Sequence, residues 1–150
     1  MDMRAVSPRS EEMRRDKLDD LYSEFIRRRA IAEKGGCERC GTQKHDIQKD
    51  NGDIFEAYKL LDCAHCHGRA AKGVRWDPDN AAGLCGGCHM FLDAQAEAKR
   101  EFFIKKLGQE AYDMPLARKR IPAKYLDREA IEFYLRQEIK RLRSSRKVLL

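Results

Sequence analysis

The sequence predicts a mostly helical α+β domain in which a short, cysteine-rich core lies between amino-terminal and carboxy-terminal helices. Apolar residues recur with the helical period near both ends of the chain. Residues 58–69 lack this period and lie between a turn-rich stretch and Gly68, which indicates a strand. Two Cys-x2-Cys pairs, beginning at Cys37 and Cys85, bracket that strand. At 150 residues the chain is expected to form one domain, residues 1–150.

The composition narrows the class of protein. Charged residues make up 37% of the chain and hydrophobic residues 42%, as expected of a folded protein and not of a disordered one. No apolar run resembles a membrane span, and the first residues lack the apolar core of a signal peptide. We therefore expect a protein of the reducing cytoplasm that does not bind membranes. In that compartment six cysteines favour metal binding over disulfides.

The net charge of +6 and the pI near 9.1 permit a polyanionic partner. The excess of basic residues lies in the carboxy-terminal segment, which ends in Arg141, Arg143, Arg146 and Lys147. Both a solvated helix face and a phosphate-binding tail fit this pattern.

An amphipathic helix is predicted over residues 11–34. Its apolar residues have the spacing of a single buried helix face, and Gly35-Gly36 ends it. Those apolar residues are Leu18, Leu21, Tyr22, Phe25 and Ile26. Residues 1–10 are expected to be flexible, residues 37–107 to form the core, and residues 108–150 to form a basic helical extension.

The core is predicted to contain one hairpin and one or two helices. The strand at 58–69 is expected to pair with Val74-Arg75-Trp76, and residues 77–80 favour a turn. Residues 90–107 are rich in helix formers, and the polar stretch 43–57 is expected to be a surface loop or a short hairpin. A last helix is predicted at 127–143. Its apolar face consists of Ile131, Tyr134, Leu135, Ile139 and Leu142.

Four cysteines predict a structural zinc site. Cys37-x2-Cys40 and Cys85-x2-Cys88 have the spacing of two zinc knuckles that together supply a tetrahedral four-cysteine site. Both pairs lie in glycine-containing turns, as a knuckle requires. A redox Cys-x-x-Cys is disfavoured because no βαβ pattern surrounds either pair.

A third pair at the same spacing, Cys63 and Cys66, competes for the metal. It lies in the predicted strand, where side chains at these two positions are expected to point to opposite faces. We therefore interpret Cys63 and Cys66 as small buried hydrophobic residues and assign the zinc to the outer pairs.

Polar residues between the knuckles and just after the second one suggest a catalytic site. His65 and His67 are expected on one face of the strand, and His89 and Asp93 share a face of the following helix. Asn80 lies in the loop that joins the two elements. A base on a strand, an amide in a loop and a metal ligand on a helix can together surround one scissile phosphate.

These residues resemble the signature of the HNH nucleases at His65, Asn80 and His89, with zinc-binding cysteines around the motif as in many members. A wider stretch, from about Leu18 to Arg118, is similar to the lambdoid-phage recombination endonucleases of the NinG (Rap) type. The segments that carry this second resemblance are LYSEFIRRR, CERCG, AHCHGR, RWDPDN, LCGGCH and FFIKKLG.

The resemblance implies a ββα-metal (HNH) core with a four-cysteine zinc staple, flanked by N- and C-terminal helices. It also implies a DNA endonuclease that uses a single divalent cation, Mg²⁺ or Mn²⁺. His65 would be the general base that deprotonates a water, and His89 would bind the cation. Asn80 would orient the His65 loop by hydrogen bonding.

The phosphates that flank the cut would be held by basic residues near His65, namely Arg69, Lys72 and Arg75.

The second protein ligand of the catalytic cation stays open. Many HNH enzymes carry Asp or His immediately before the base, where this chain has Ala64. His67 and Asp93 are the candidates, and Asp93 is favoured because a carboxylate suits Mg²⁺ or Mn²⁺.

The expected partner is double-stranded or branched DNA, such as a recombination intermediate of a phage. A homodimer is possible, because a resolvase that cuts two strands symmetrically would pair. Two other classes remain: a zinc-dependent DNA-binding module without catalysis, and a structural phage protein whose outer helices form an oligomer interface.

Overall fold

The computed structural model describes residues 16–68, 71–118 and 122–148. Within them the fold is α+β and mostly helical, with two small antiparallel sheets, as predicted. The elements in chain order are α1 (Lys17–Lys34), β1 (Ile47–Gln48), β2 (Ile54–Phe55), β3 (Asp62–His65), β4 (Ala81–Leu84), α2 (Gly86–Ala94), α3 (Ala96–Leu107), α4 (Gln109–Arg118) and α5 (Arg128–Val148). Short 3₁₀ helices lie at Ala57–Leu60, Lys72–Val74 and Ala123–Tyr125.

Helix α1 confirms the prediction of an amino-terminal amphipathic helix. Asp16 caps it by accepting a hydrogen bond from the backbone N–H of Leu18 at 3.0 Å. Gly35 ends it with a φ of 73°, the left-handed conformation that glycine adopts without strain. Four of the five predicted apolar residues are buried, and Leu21 is half-buried. Positions 11–15 of the predicted helix lie outside the described residues.

The β3–β4 hairpin is the central element of the fold. It pairs antiparallel, with His65 opposite Ala81 and Asp62 opposite Leu84. The prediction that Val74-Arg75-Trp76 is the partner strand is wrong, because β3 pairs with β4. Residues 72–74 form a 3₁₀ helix, and Val74 and Trp76 are buried in the core. The predicted strand 58–69 is also too long, since Ala57–Leu60 is a 3₁₀ helix.

Strand β4 escaped sequence prediction because its composition is unusual. All four of its residues are buried, so it shows no alternation of apolar and polar positions. Its small residues let α1 approach closely. A Cβ atom at Gly83 would lie 2.5 Å from the Cβ of Ala30.

Two buried clusters pack around this hairpin. One includes Ala64 and Ala82, which share a face, together with Leu92 and Phe103 of the α2–α3 region. The other includes Ala81, on the opposite face. Its remaining members are Leu18, Tyr22, Phe25, Ile26, Trp76, Leu135, Ile139 and Leu142. The second cluster therefore joins α1, Trp76, β4 and α5.

The remaining elements largely match the predictions. The polar stretch 43–57 contains the β1–β2 hairpin, which turns at Asn51-Gly52. Helices α2 and α3 meet at Gln95, so the segment predicted as one or two helices is two. Helix α5 buries three of its five predicted apolar residues, while the partly exposed Tyr134 ring lies edge-on to Phe25. Among the described helices, none combines the length and apolarity needed to cross a bilayer.

Candidate functional site

Four cysteines converge in what we call the four-cysteine cluster, namely Cys37, Cys40, Cys85 and Cys88. Their sulfur atoms all lie within 4.8 Å of one another. The sulfurs of Cys40 and Cys85 are 3.8 Å apart, and tetrahedral Zn²⁺ with Zn–S bonds of about 2.3 Å requires about 3.8 Å. The cluster could therefore hold a structural metal ion such as zinc, and the cysteines that the structure brings together are those of the outer pairs.

Local backbone geometry builds this cluster from two segments that are far apart in the sequence. In the first knuckle Gly41, with φ 75°, donates its N–H to the carbonyl of Cys37 at 3.0 Å. In the second, Cys85 is the N-cap of α2 and Cys88 lies in the first turn. The helix N-terminus favours negatively charged thiolates there. Arg39 adds a hydrogen bond to the Cys88 sulfur at 3.5 Å.

The protonation of these thiols depends on their surroundings. Hydrogen bonds from Thr42 lower the pKa of Cys40 to about 6. Burial raises the pKa of Cys88 to about 12, so metal binding at this position must release a proton.

The third cysteine pair lies outside the four-cysteine cluster, as predicted. Cys63 packs against the buried hydrophobic cluster that includes residues of α1 and α5. Cys66 packs against the buried hydrophobic cluster that includes residues of α2 and α3. The two side chains thus serve opposite faces of the hairpin. Burial raises the pKa of the Cys66 thiol to about 11, which keeps it protonated at neutral pH.

His65 and His89 both line an open cleft of about 390 Å³ between α1, β3 and α2. The His65 ring lies against Tyr22, with ring centroids 5.6 Å apart. We call this the histidine cleft. Its lining consists of Asp19, Ser23, Arg27, Leu61, Asp62, Cys63, His65 and His89.

Asn80 holds the turn that follows His65. It is fully buried, and its side chain bonds twice to the backbone of His67. The amide nitrogen donates to the His67 carbonyl at 3.1 Å, and the amide oxygen accepts from the His67 N–H at 2.9 Å. The carbonyl of Asn80 accepts from the Cys66 N–H at 2.7 Å. Asn80 therefore fixes the end of β3 without lining the histidine cleft.

His89 lies between two carboxylates. Its Nδ1 is 3.1 Å from Asp62, and its Nε2 is 3.2 Å from Asp93. A neutral imidazole can donate only one hydrogen bond. The second carboxylate would therefore face the lone pair of the other ring nitrogen. A cation bound to that nitrogen and to the carboxylate would remove this repulsion. Asp62 and His89 line the histidine cleft, whereas Asp93 lies outside its lining and also pairs with Lys99.

Asp62 is a residue that sequence reasoning missed. The signal available in the sequence was an acidic residue three positions before His65, on the same predicted strand. The other candidate ligand, His67, is not among the residues that line the histidine cleft. Its ring faces Tyr112, with centroids 6.4 Å apart.

The three basic residues that were predicted to contact phosphate differ in what the structure shows of them. Arg69 lies outside the described residues, as does the side chain of Lys72. Arg75 is engaged within the fold, because its guanidinium pairs with the Asp19 carboxylate, which also accepts from the Trp76 indole at 2.9 Å. Its charge is thereby neutralised, which does not favour a role in binding phosphate.

Arg27 is the basic residue that the structure brings to the histidine cleft. Its Nε donates to the Ser23 carbonyl at 3.1 Å, and its guanidinium lies 5.1 Å from the centroid of the Tyr58 ring. These contacts leave guanidinium N–H groups for an anionic ligand.

A larger cleft, of about 610 Å³, lies between α1, the first knuckle and α3. Its lining contains no histidine or cysteine, and its charges are partly paired, as in the Lys106–Glu38 salt bridge at 2.5 Å. Titratable groups suited to catalysis lie instead in the histidine cleft, which we take as the candidate site.

No protein-family model, curated protein or solved structure matches this chain.

Proposed function

We propose that this protein is a metal-dependent DNA endonuclease of the HNH type, with the histidine cleft as its active site. The observation that carries the proposal is the hydrogen bonding of Asn80, whose buried side chain clamps the turn after His65. A base on β3, an amide before β4 and a metal ligand on α2 come from one continuous strand–strand–helix unit. This order agrees with the ββα-metal core that the sequence resemblance implies.

His89 and Asp62 would hold the catalytic cation. Both line the histidine cleft, and an imidazole with a carboxylate suits Mn²⁺ or Mg²⁺. Asp93 would then accept a hydrogen bond from the other ring nitrogen of His89 and fix the ring. This assignment replaces Asp93 as the favoured second ligand. A cation bound there would stabilise charge on the phosphate oxygens.

His65 would take a proton from the attacking water. The Tyr22 ring lies against the His65 ring, and the hydrogen bonds of Asn80 fix the backbone that follows His65. Arg27, which lines the same cleft, would bind a phosphate oxygen of the DNA and orient the scissile phosphate for attack by the water. A positioned base and a positioned phosphate would act together with the cation in hydrolysis of a phosphodiester.

Branched or recombination DNA of a phage is the narrower proposal for the substrate. It rests on the resemblance to the NinG-type endonucleases, since phosphate contacts carry no information about branch structure.

The test is cleavage of supercoiled plasmid by zinc-loaded protein with Mg²⁺, with Mn²⁺ or with no added cation. We expect cutting only with a cation, and a rate at least about a hundredfold lower for His89→Ala. A four-way junction cut faster than a linear duplex of equal length would support the narrower proposal. A protein that binds DNA but cuts it with neither cation would instead be the non-catalytic zinc-dependent DNA-binding module.

A further inference from the structure

We propose that Tyr22 positions His65 for catalysis: its ring sets the orientation of the imidazole, and its hydroxyl fixes that ring to the turn that carries Asn80. This inference rests on the proposed function for the role of His65 as the base. It gives a buried core residue of α1 a part in the active site that its helical spacing in the sequence did not indicate.

The Tyr22 and His65 rings lie against each other. Their planes are tilted by 33°, and their centroids are 5.6 Å apart, within the range of about 4.5–7 Å over which aromatic rings attract each other. Tyr22 is 1% exposed and is not among the residues that line the histidine cleft, whereas His65 is half-buried and lines it. Tyr22 therefore contacts the imidazole from within the protein, and the cleft side of the imidazole is left for water and substrate.

The residue opposite His65 in the hairpin leaves room for this contact. Ala81 pairs with His65, and cross-strand partners project from the same face of a sheet. Ala81 is fully buried in the hydrophobic cluster that contains Tyr22, and Cys63, on the same face as His65, packs against that cluster. Because the Ala81 side chain is a single methyl group, the larger rings of His65 and Tyr22 can meet beside it.

The Tyr22 hydroxyl joins the ring to the Asn80 turn. It donates to the carbonyl of Asp77 at 2.6 Å, and the same carbonyl accepts from the backbone N–H of Asn80 at 3.0 Å. Burial raises the pKa of the Tyr22 phenol well above its ordinary value, so the hydroxyl keeps the proton that it donates. The carbonyl of Asn80 in turn accepts from the N–H of Cys66, which follows His65. A closed path of contacts therefore leads from the His65 ring through Tyr22 and back to the His65 backbone.

Asn80 and Tyr22 would act on different parts of His65. Asn80 fixes the backbone that follows His65, but two rotatable bonds join the imidazole to that backbone. A general base must lie within about 2.6–3.2 Å of the water that it deprotonates, and a misplacement of about 1 Å can lower the rate about a hundredfold. The Tyr22 ring is itself held at both ends, by α1 and by the Asp77 carbonyl. Contact with such a ring limits the rotation that Asn80 leaves free.

The first experiment measures single-turnover cleavage of plasmid by zinc-loaded protein with Mn²⁺, over a range of protein concentrations. Tyr22→Leu is expected to lower the maximal rate about thirtyfold and to leave the half-saturating concentration within about twofold, because Tyr22 does not line the cleft. Tyr22→Phe keeps the ring and loses only the hydroxyl, so its rate should recover to within about fivefold of the wild type.

The matched control is Phe25→Leu. Phe25 lies on the same helix, is also 1% exposed and belongs to the same hydrophobic cluster, but its ring lies edge-on to Tyr134 of α5. Phe25→Leu is therefore expected to lower the thermal stability about as much as Tyr22→Leu does, with a cleavage rate within about twofold of the wild type. This control separates loss of the His65 contact from loss of a core ring.

The second experiment needs no cleavage. Nuclear magnetic resonance of histidine-labelled protein, without DNA, reports the ring protons of His65, whose signals are identified by their absence in His65→Ala. The Tyr22 ring should displace these signals from the values of a free histidine. The displacement is expected to persist in Tyr22→Phe and Phe25→Leu and to disappear in Tyr22→Leu.

The two experiments separate the positioning of His65 from the nuclease. Equal rate losses in Tyr22→Leu and Phe25→Leu, or His65 signals that Tyr22→Leu leaves unchanged, would overturn the role of Tyr22 even if the wild-type protein cuts DNA. A wild-type protein that cuts nothing, with His65 signals that move only in Tyr22→Leu, would support the positioning of the imidazole and reject the nuclease.

Discussion

The four-cysteine cluster and the histidine cleft use the same β3–β4–α2 region but are built in different ways. The cluster takes its ligands from two local knuckles, and all four sulfurs converge on one point. The histidine cleft takes its residues from α1, β3 and α2, and its polar side chains form pairwise contacts, such as that between His89 and Asp62. The spacing of the cysteines in the two knuckles specifies the four-cysteine cluster almost completely. The histidine cleft, in contrast, forms only when α1 and α2 have packed against β3.

Loss of the four-cysteine cluster should have the largest effect. Cys88→Ser is expected to abolish the cooperative thermal transition, because structural zinc contributes about 10–16 kcal/mol, comparable to the whole stability of a domain. Circular dichroism melts and zinc analysis by atomic absorption would measure this. Cys66→Ala is the control and should retain its zinc. Zinc loss in that control, with zinc retained by Cys88→Ser, would contradict the assignment.

Removal of the Asn80 clamp should have the next largest effect. Asn80→Ala leaves the partly buried N–H and carbonyl of His67 without the Asn80 side chain as a partner, which is expected to cost about 2–4 kcal/mol. Urea denaturation would measure the loss, and Asn51→Ala, at an exposed turn, should cost less than about 0.5 kcal/mol. Equal costs at the two positions would mean that Asn80 does not hold the β3 end.

The two carboxylates beside His89 should differ in their effect on cation affinity. Asp62→Asn is expected to lower Mn²⁺ affinity about a hundredfold and Asp93→Asn about tenfold, because one would be a ligand and the other would orient the ring. Electron paramagnetic resonance detects free Mn²⁺. Titration of the two zinc-loaded variants with Mn²⁺ would therefore measure both affinities. The reverse order would make Asp93 the ligand, as the sequence alone suggested.

The smallest effect concerns Asp16, which caps α1 and pairs with Arg128 at 2.8 Å. Asp16→Ala should cost about 1 kcal/mol at neutral pH, and Asp16→Asn, which keeps the cap but removes the charge, about half as much.

The hydrogen bond from Arg128 lowers the pKa of Asp16 below its ordinary value. The charge contribution is therefore present above that ordinary value and disappears as the pH falls through the lowered one. Urea melts of Asp16→Asn and the wild-type protein should converge in acid. A difference that persists there would contradict the ion pair.

Local signals in the sequence predicted α1, its end at Gly35 and the two knuckles of the four-cysteine cluster, because each of these depends on residues close in sequence. Strand β4 was missed because Ala81-Ala82-Gly83-Leu84 is buried on both faces and has low strand propensity. Asp62 was missed because its importance arises from His89, 27 positions later.

The consecutive arginines Arg27, Arg28 and Arg29 show the same limit. Arg27 lines the histidine cleft, Arg28 is buried between Glu24 and Glu56, and Arg29 donates to the Ala81 carbonyl at 3.3 Å. Three identical residues in a row have three different environments. Only the packing of α1 on the hairpin distinguishes them, so no sequence pattern could select Arg27.

The most direct test of the account is the single-turnover cleavage rate of His65→Ala beside His45→Ala, in zinc-loaded protein with Mn²⁺. His45 is exposed and lies outside the histidine cleft, so it is a matched control. We predict that His65→Ala lowers the rate by about a hundredfold to ten-thousandfold with unchanged zinc content, and that His45→Ala matches the wild type. A His65→Ala rate equal to that of the wild type would contradict the assignment of His65 as the base, and with it the proposed active site.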